Sequence, residues 1–144
     1  AKSEGEEGYR VLSKSKCLSA DVNAAVDPTY ESCFEPKNCS YINEGVEISK
    51  YTGARGKSGT SDASAEYMGE VRSMLESNNI IWQVGELGKV DLGGGGTIAK
   101  YVANMNVDVV DLGVPVLSMH APFEIVSKVD VYMAYLAFLH FFMD

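Results

Sequence analysis

Positive charge is scarce in this 144-residue chain. Twelve lysines and arginines face twenty aspartates and glutamates, for a formal net charge of −8. That balance argues against a protein that wraps nucleic acid or rests on an anionic membrane surface. Histidine is scarcer, at two residues, His120 and His140. Long apolar runs are missing as well. No stretch approaches the ~20 apolar residues that a spanning helix needs. The opening AKSEGEEGYR lacks the apolar core of a secretory signal. Cysteine is limited to Cys17, Cys33 and Cys39, without a CxxC pair and with one thiol left over. The expectation is a reducing, cytoplasmic setting with three free thiols, a Cys33–Cys39 bridge being the alternative. There is no HExxH, no GxSxG and no spacing to press for a Ser-His-Asp triad.

Enough apolar material remains for a core. Apolar residues make up 46% of the chain, which suits a globular protein and excludes a disordered one. The length fits about one domain. The rest is arranged around residues 85–128, which read as a glycine loop, a short helix over 98–105 opened by Thr97, and two buried strands, VDVVDLG and VPVLSM. The glycines at 93–96 leave no Cβ in the way of another chain or a ligand. His120 follows directly, at the carboxyl end of a strand, where open α/β sheets place ligands.

Upstream, residues 1–8 read as a frayed or linking end, and VLSKSKCLSADV (11–22) as a strand ending at Ala20 and Asp21. A proline-bearing loop follows, then VEISKY (46–51) as a cleanly alternating strand. TGARGKSGT reads as a flexible basic turn, with Ser61 or Thr60 capping a helix whose stripe is Met68, Val71, Met74 and Leu75. IIWQV (80–84) is the next strand. The last helix, 129–142, is apolar nearly all round and needs cover on more than one side.

Two residues at strand ends carry candidate chemistry. Asp21, in SADVNAA, is either a turn-capping aspartate or a metal ligand. His120 is either a core histidine bonded to a carbonyl or a ligand. A divalent metal would draw both to one sheet edge. Two ligands do not complete a catalytic zinc site, which takes three from protein, and His140 sits in the apolar last helix, where packing is its expected role. Either both residues are structural, or the other ligands lie elsewhere. A phosphate role for the glycine loop fails on spacing, since Val90 stands where a P-loop needs Ser or Thr. The basic turn Lys50, Arg55 and Lys57 could receive an anion, with solvent exposure as its default.

Four segments in order, LSADVNAAVDP, KYTGARGKSGTSDASAEY, WQVGELGKVDLGGGGTIAKYVA and DLGVPVLSMHAPFEIVSKVDVY, make the chain similar to the C-terminal part of the M18 metalloaminopeptidases, the aspartyl aminopeptidase family in its bacterial branch. The resemblance implies a three-layer α/β/α zinc-peptidase (phosphorylase/hydrolase-like) fold with a mixed sheet, incomplete in this chain. It implies residues 1–144 as the C-terminal portion of one catalytic domain, without its N-terminal portion and inserted dimerisation domain. Two divalent ions, zinc with cobalt or manganese as options, would activate water to remove an N-terminal, often acidic, residue from peptides.

By the same resemblance, Asp21 ligates one metal and His120 the other. Lys50, with Ser49 as the alternative register, would meet an acidic substrate side chain, and Gly94 and Gly95 would lie beside the substrate. Ala24 stands where some relatives carry a histidine near the substrate. The partners implied are peptides and further copies of the chain, commonly in a dodecamer, and neither nucleic acid nor membrane. The remaining ligands and the general-base glutamate are expected upstream, which would leave this chain inactive alone. The alternative is a non-catalytic truncated scaffold or oligomer-forming fragment.

Overall fold

Period-two alternation in short β-branched segments produces a sheet whose two faces differ in chemistry. The structure, a computed structural model, describes residue 5 and residues 7–54, 58–89 and 91–143, apart from the side chains of residues 52, 54 and 58. In chain order its elements are α1 (Gly8–Leu12), β1 (Lys16–Ala20), β2 (Asn23–Ala24), a 3-10 turn (Glu31–Cys33), β3 (Val46–Ser49), β4 (Tyr51–Ala54), β5 (Ser58–Asp62) and α2 (Ala65–Ser77). Then come β6 (Trp82–Val84), α3 (Ala99–Ala103), β7 (Asp108–Gly113), β8 (Pro115–Leu117), β9 (Ile125–Val126) and α4 (Lys128–Met143).

The main sheet runs β1-β7-β3-β6. β1 lies parallel to β7, β3 antiparallel to β7, and β6 parallel to β3. Residues paired across strands share a face. On one face Leu18, Val46, Ile48, Val110 and Leu112 meet Tyr67, Val71 and Leu75 of α2 and Ala134 and Ala137 of α4. Each fully buried aliphatic side chain there stabilises by roughly 2 kcal/mol. On the other face Ser19, Glu47, Ser49 and Asp111 are buried beneath α3 and the glycine segment. The chain is thus a mixed sheet between helical layers, the α/β/α architecture anticipated from the resemblance.

Several boundaries differ from the sequence reading, each for a local reason. Residues 11 and 12 belong to α1 rather than to a strand. The Ser13 hydroxyl donates to the Arg10 carbonyl at 3.0 Å and that of Ser15 to the Val11 carbonyl at 2.7 Å, local bonds that replace a strand ladder. β3 ends at Ser49 and all four of its residues are buried, so its alternation is between two covered faces. The expected flexible turn is instead a hairpin of β4 and β5; Arg55 and Lys57 lie outside the described residues, as do Val90 and most of residues 1–8. Thr60 and Ser61 belong to β5, and Ser64 caps α2, its Oγ accepting from the Tyr67 N–H at 3.2 Å. α3 is shorter than expected. All three cysteines are free thiols.

α4 shows the expected apolar surround and one exception that the sequence does not advertise. Tyr132, Tyr135, Leu139 and Phe142 face outward, Phe142 at 82% exposure. Asp130, in the first turn, is fully buried. Its carboxylate accepts from the Asn43 and Gly45 N–H groups at 2.8 and 2.9 Å, which ties the helix start to the turn that leads into β3. Two backbone donors held by a buried charge make this pin costly to remove. Asp130→Ala should lower unfolding free energy by about 3 kcal/mol in urea titrations. A loss below about 0.5 kcal/mol would show that the pin does not matter.

Candidate functional site

The site is built where the chain changes sheets. β1 ends at Ala20, and Asp21 and Val22 carry the backbone to β2, which pairs with β8. The crossing passes directly over Gly113 at the end of β7. A Cβ at Gly113 would lie 1.3 Å from the Asp21 carbonyl oxygen, so no other residue permits this crossing. The Asp21 side chain remains solvent-exposed and accepts from the Val22 N–H through Oδ1 at 2.9 Å.

A second part of the rim comes from the turn after β8. Ser118 and His120 both hold positive φ, 59° and 65°, a backbone region that non-glycine residues enter at a cost. The Ala121 N–H to Ser118 carbonyl bond (3.0 Å) closes the turn, and the His120 N–H donates to the Glu124 carboxylate. His120 itself is exposed on the rim.

Between the rims lies a cleft of about 140 Å³ lined by Asp21, Glu47, Ser49, Tyr51, Gly95, Thr97, Asp111 and His120, with Val22, Leu87 and Met119 as apolar wall. Asp21, His120 and Gly95 therefore share one cavity. Lys50 and Gly94 are not among its lining residues. The Lys50 ammonium pairs with Asp62 and lies 4.9 Å from the centre of the Tyr51 ring.

Sequence reasoning missed the floor. Glu47 is 2% exposed and Asp111 5%, and both line the cleft. The Ser49 hydroxyl donates to Glu47 Oε1 at 2.8 Å and accepts from Asn23 Nδ2 at 3.1 Å. Burial pushes the Glu47 carboxyl up to about 7, against the pull of Ser49, Asn23 and the Gly85 backbone, with Asp111 adding repulsion. Asp111 is raised chiefly by burial too, opposed by the Ser19 and Thr97 hydroxyls and assisted by the charge of Asp21. Thr97 Oγ1 donates to Asp111 Oδ2 at 2.8 Å and accepts from the Ala99 N–H at 3.2 Å, fastening the glycine segment and α3 over β7. Ser19 Oγ and Asp111 Oδ1 are buried neighbours across β1 and β7 without a bond of normal length between them. For Asp111 the available signal was an acid inside VDVVDLG, a run that otherwise reads as covered on both faces.

A carboxylate and an imidazole that line one cleft are donors that zinc accepts. Their number is short of a site: among the described residues no group of three or more His, Cys, Asp or Glu could hold a metal ion.

Comparison with known proteins bears on the family and the fold. The model of the family described as aminopeptidase I zinc metalloprotease (M18) matches residues 1–142. A probable M18 family aminopeptidase 1 from Clostridium acetobutylicum is 49% identical over 134 residues, 91% of this chain and 29% of that protein. The crystal structure of an M18 family aminopeptidase from Thermotoga maritima superposes with a TM-score of 0.90 at 45% identity, over 96% of this chain and 32% of that one. That of aminopeptidase I from C. acetobutylicum gives 0.90 at 46%, over 96% and 31%. The chain thus spans about a third of the length of the relatives it matches.

The raised carboxyl of Glu47 has a consequence for stability. The folded state holds its proton up to about 7, whereas the ordinary value is 4.5. Stability from this group is complete below the lower value and is lost as pH rises through the higher one. The loss is about 3 kcal/mol. Glu47→Gln should therefore flatten the fall in metal-free unfolding free energy between pH 5 and pH 8. Parallel profiles for the two proteins would contradict the assignment.

Proposed function

The chain belongs to the M18 family of aminopeptidase I zinc metalloproteases, and on that premise we propose that it is the C-terminal portion of the catalytic domain of a metal-dependent aminopeptidase. The observation that carries the reading is that Asp21 and His120, distant in sequence, line one cleft, each just beyond the end of a strand. Asp21 offers a carboxylate oxygen to one divalent ion and His120 an imidazole nitrogen to a second, zinc being the metal in the family's description. When bound, the ions supply Lewis acidity and a water of lowered pKa.

The chain's own residues prepare the cleft for that chemistry. Gly113 sets the position of Asp21, and the left-handed turn sets that of His120. Asp111, held by Thr97, keeps the glycine segment closed over the sheet, so that Gly95 and the apolar wall exclude water from one side of a bound peptide. Lys50 and Gly94 are the chain neighbours of the lining residues Ser49 and Gly95 and remain candidates for contact with substrate. The remaining ligands and a general-base glutamate belong to the longer protein, so the 144 residues alone are inactive. Full-length copies assemble as a homo-oligomer, for which the exposed apolar stripe of α4 provides a face to bury. The incomplete ligand set among the described residues also favours a second reading, a non-catalytic fragment that serves only as scaffold.

The test uses the full-length protein. Asp21→Asn and His120→Ala should each lower hydrolysis of an aminoacyl reporter by about 100-fold or more, a loss at least as large as removal of a supporting group around a metal. Each should also reduce bound metal, read by elemental analysis after dialysis. Wild-type metal content with wild-type activity in both variants would overturn the assignment. Hydrolysis by the 144 residues alone would overturn the claim of missing ligands, and a metal-loaded full-length protein without hydrolysis would favour the scaffold.

A further inference from the structure

We propose that Asn23 is a positioning residue for the metal ligand: its buried side chain fixes the backbone that carries the Asp21 carboxylate, and so sets the affinity for the ion that Asp21 holds. The proposal rests on the reading of Asp21 as a ligand and adds the group behind it. The Asp21 side chain does not hold itself in place. Among the described residues its carboxylate has one hydrogen bond, from the N–H of the next residue, Val22, at 2.9 Å. Its position is therefore inherited from the backbone on either side. Upstream that backbone is fixed by the pairing of Ala20 with Leu112 in the main sheet. Downstream it enters β2, which has two residues and pairs with β8. A ladder that short is below the usual strand length and is a weak restraint by itself.

Asn23 strengthens it. The residue is 6% exposed, and both ends of its amide are committed. Oδ1 accepts from the Ala24 N–H at 2.9 Å, which orients the amide, and Nδ2 then donates to Ser49 Oγ at 3.1 Å. Its backbone N–H donates to the Val114 carbonyl at 3.2 Å. Ser49 belongs to β3, an inner strand of the main sheet, and its hydroxyl donates in turn to Glu47 Oε1 at 2.8 Å. The amide thus ties the small β2-β8-β9 sheet to an inner strand of the large one, two residues beyond the ligand. Asparagine is a poor strand residue, and burying its amide costs free energy that an apolar side chain would not. Such a local inconsistency is expected where function sets the residue. Without the amide, the segment from Asp21 to Asn23 keeps only backbone restraints. The carboxylate would then reach its ion by giving up freedom that the intact protein has already lost on folding.

The test reads metal directly, on full-length protein, by titrating zinc against a competing chromophoric chelator. Asp21→Asn identifies the ion that depends on the carboxylate. Asn23→Ala should weaken that same ion by roughly 10- to 100-fold, the effect of removing a group that orients a ligand, and leave the other ion's affinity unchanged. Hydrolysis of an aminoacyl reporter, lost from Asn23→Ala at limiting zinc, should return when zinc is raised above the weakened dissociation constant. A merely structural role would lower the melting temperature and move neither readout. Ser49→Ala removes the anchor on β3 and should weaken the same ion. Combined with Asn23→Ala it should cost little more, because both changes break one link. Should Asn23→Ala fail to fold, Ser49→Ala decides. Wild-type affinity for both ions in Asn23→Ala, or an equal loss of both, overturns the proposal and leaves Asp21 a ligand. Undiminished binding of both ions by Asp21→Asn overturns the ligand assignment and the proposal with it. Asn23-dependent zinc binding without hydrolysis of any reporter upholds the proposal and overturns the aminopeptidase reading.

Discussion

A backbone carbonyl occupies the space where residue 113 would have a side chain. The Asp21 peptide crosses Gly113 so closely that even a methyl group is excluded, and much else follows from that crossing. It lets the chain leave the β1–β7 pair and join β8 through β2. It places the Asp21 carboxylate on the rim instead of in the sheet. It also puts Asn23 where its side chain reaches Ser49, and through Ser49 reaches Glu47. One missing Cβ therefore links a candidate ligand to the polar floor beneath it.

The sheet beneath the cleft divides stability from chemistry across its thickness. One face is a plain apolar core against α2 and α4. The other buries two carboxyls and several hydroxyls, at a cost in desolvation that the hydrogen bonds from Ser49 and Thr97 only partly offset. A sequence under pressure for stability alone would put Val or Ile at positions 47 and 111. Such departures from local consistency are expected at functional sites. The first turn of α4 carries a contrasting buried acid: Asp130 has two backbone donors aimed at it and serves the fold.

Some of this was legible in the chain and some was not. Strand positions, the apolar stripe of α2 and the all-round apolar character of α4 came through, because side-chain periodicity reports which faces are covered. The resemblance of four ordered segments identified the family and singled out Asp21 and His120. Glu47 was not singled out within the alternating strand 46–51, since alternation alone cannot tell a strand with one wet face from one covered by a polar layer. Lys50 read as a cation available to a substrate; its pairing with Asp62 depends on the β4–β5 hairpin bringing strand ends together.

The sequence by itself determined the class of fold, the family and the pair of strand-end residues on which a metal reading depends, because these follow from local patterns and motif order. Tertiary structure alone decided that Asp21 and His120 line one cleft, that Glu47 and Asp111 line it with them, and that Lys50 pairs with Asp62. Those facts arise from contacts between segments far apart in the chain, above all a crossing over Gly113 that is a matter of three-dimensional closeness. Burial, which pushes the Glu47 carboxyl toward neutrality, likewise exists only once those segments have packed.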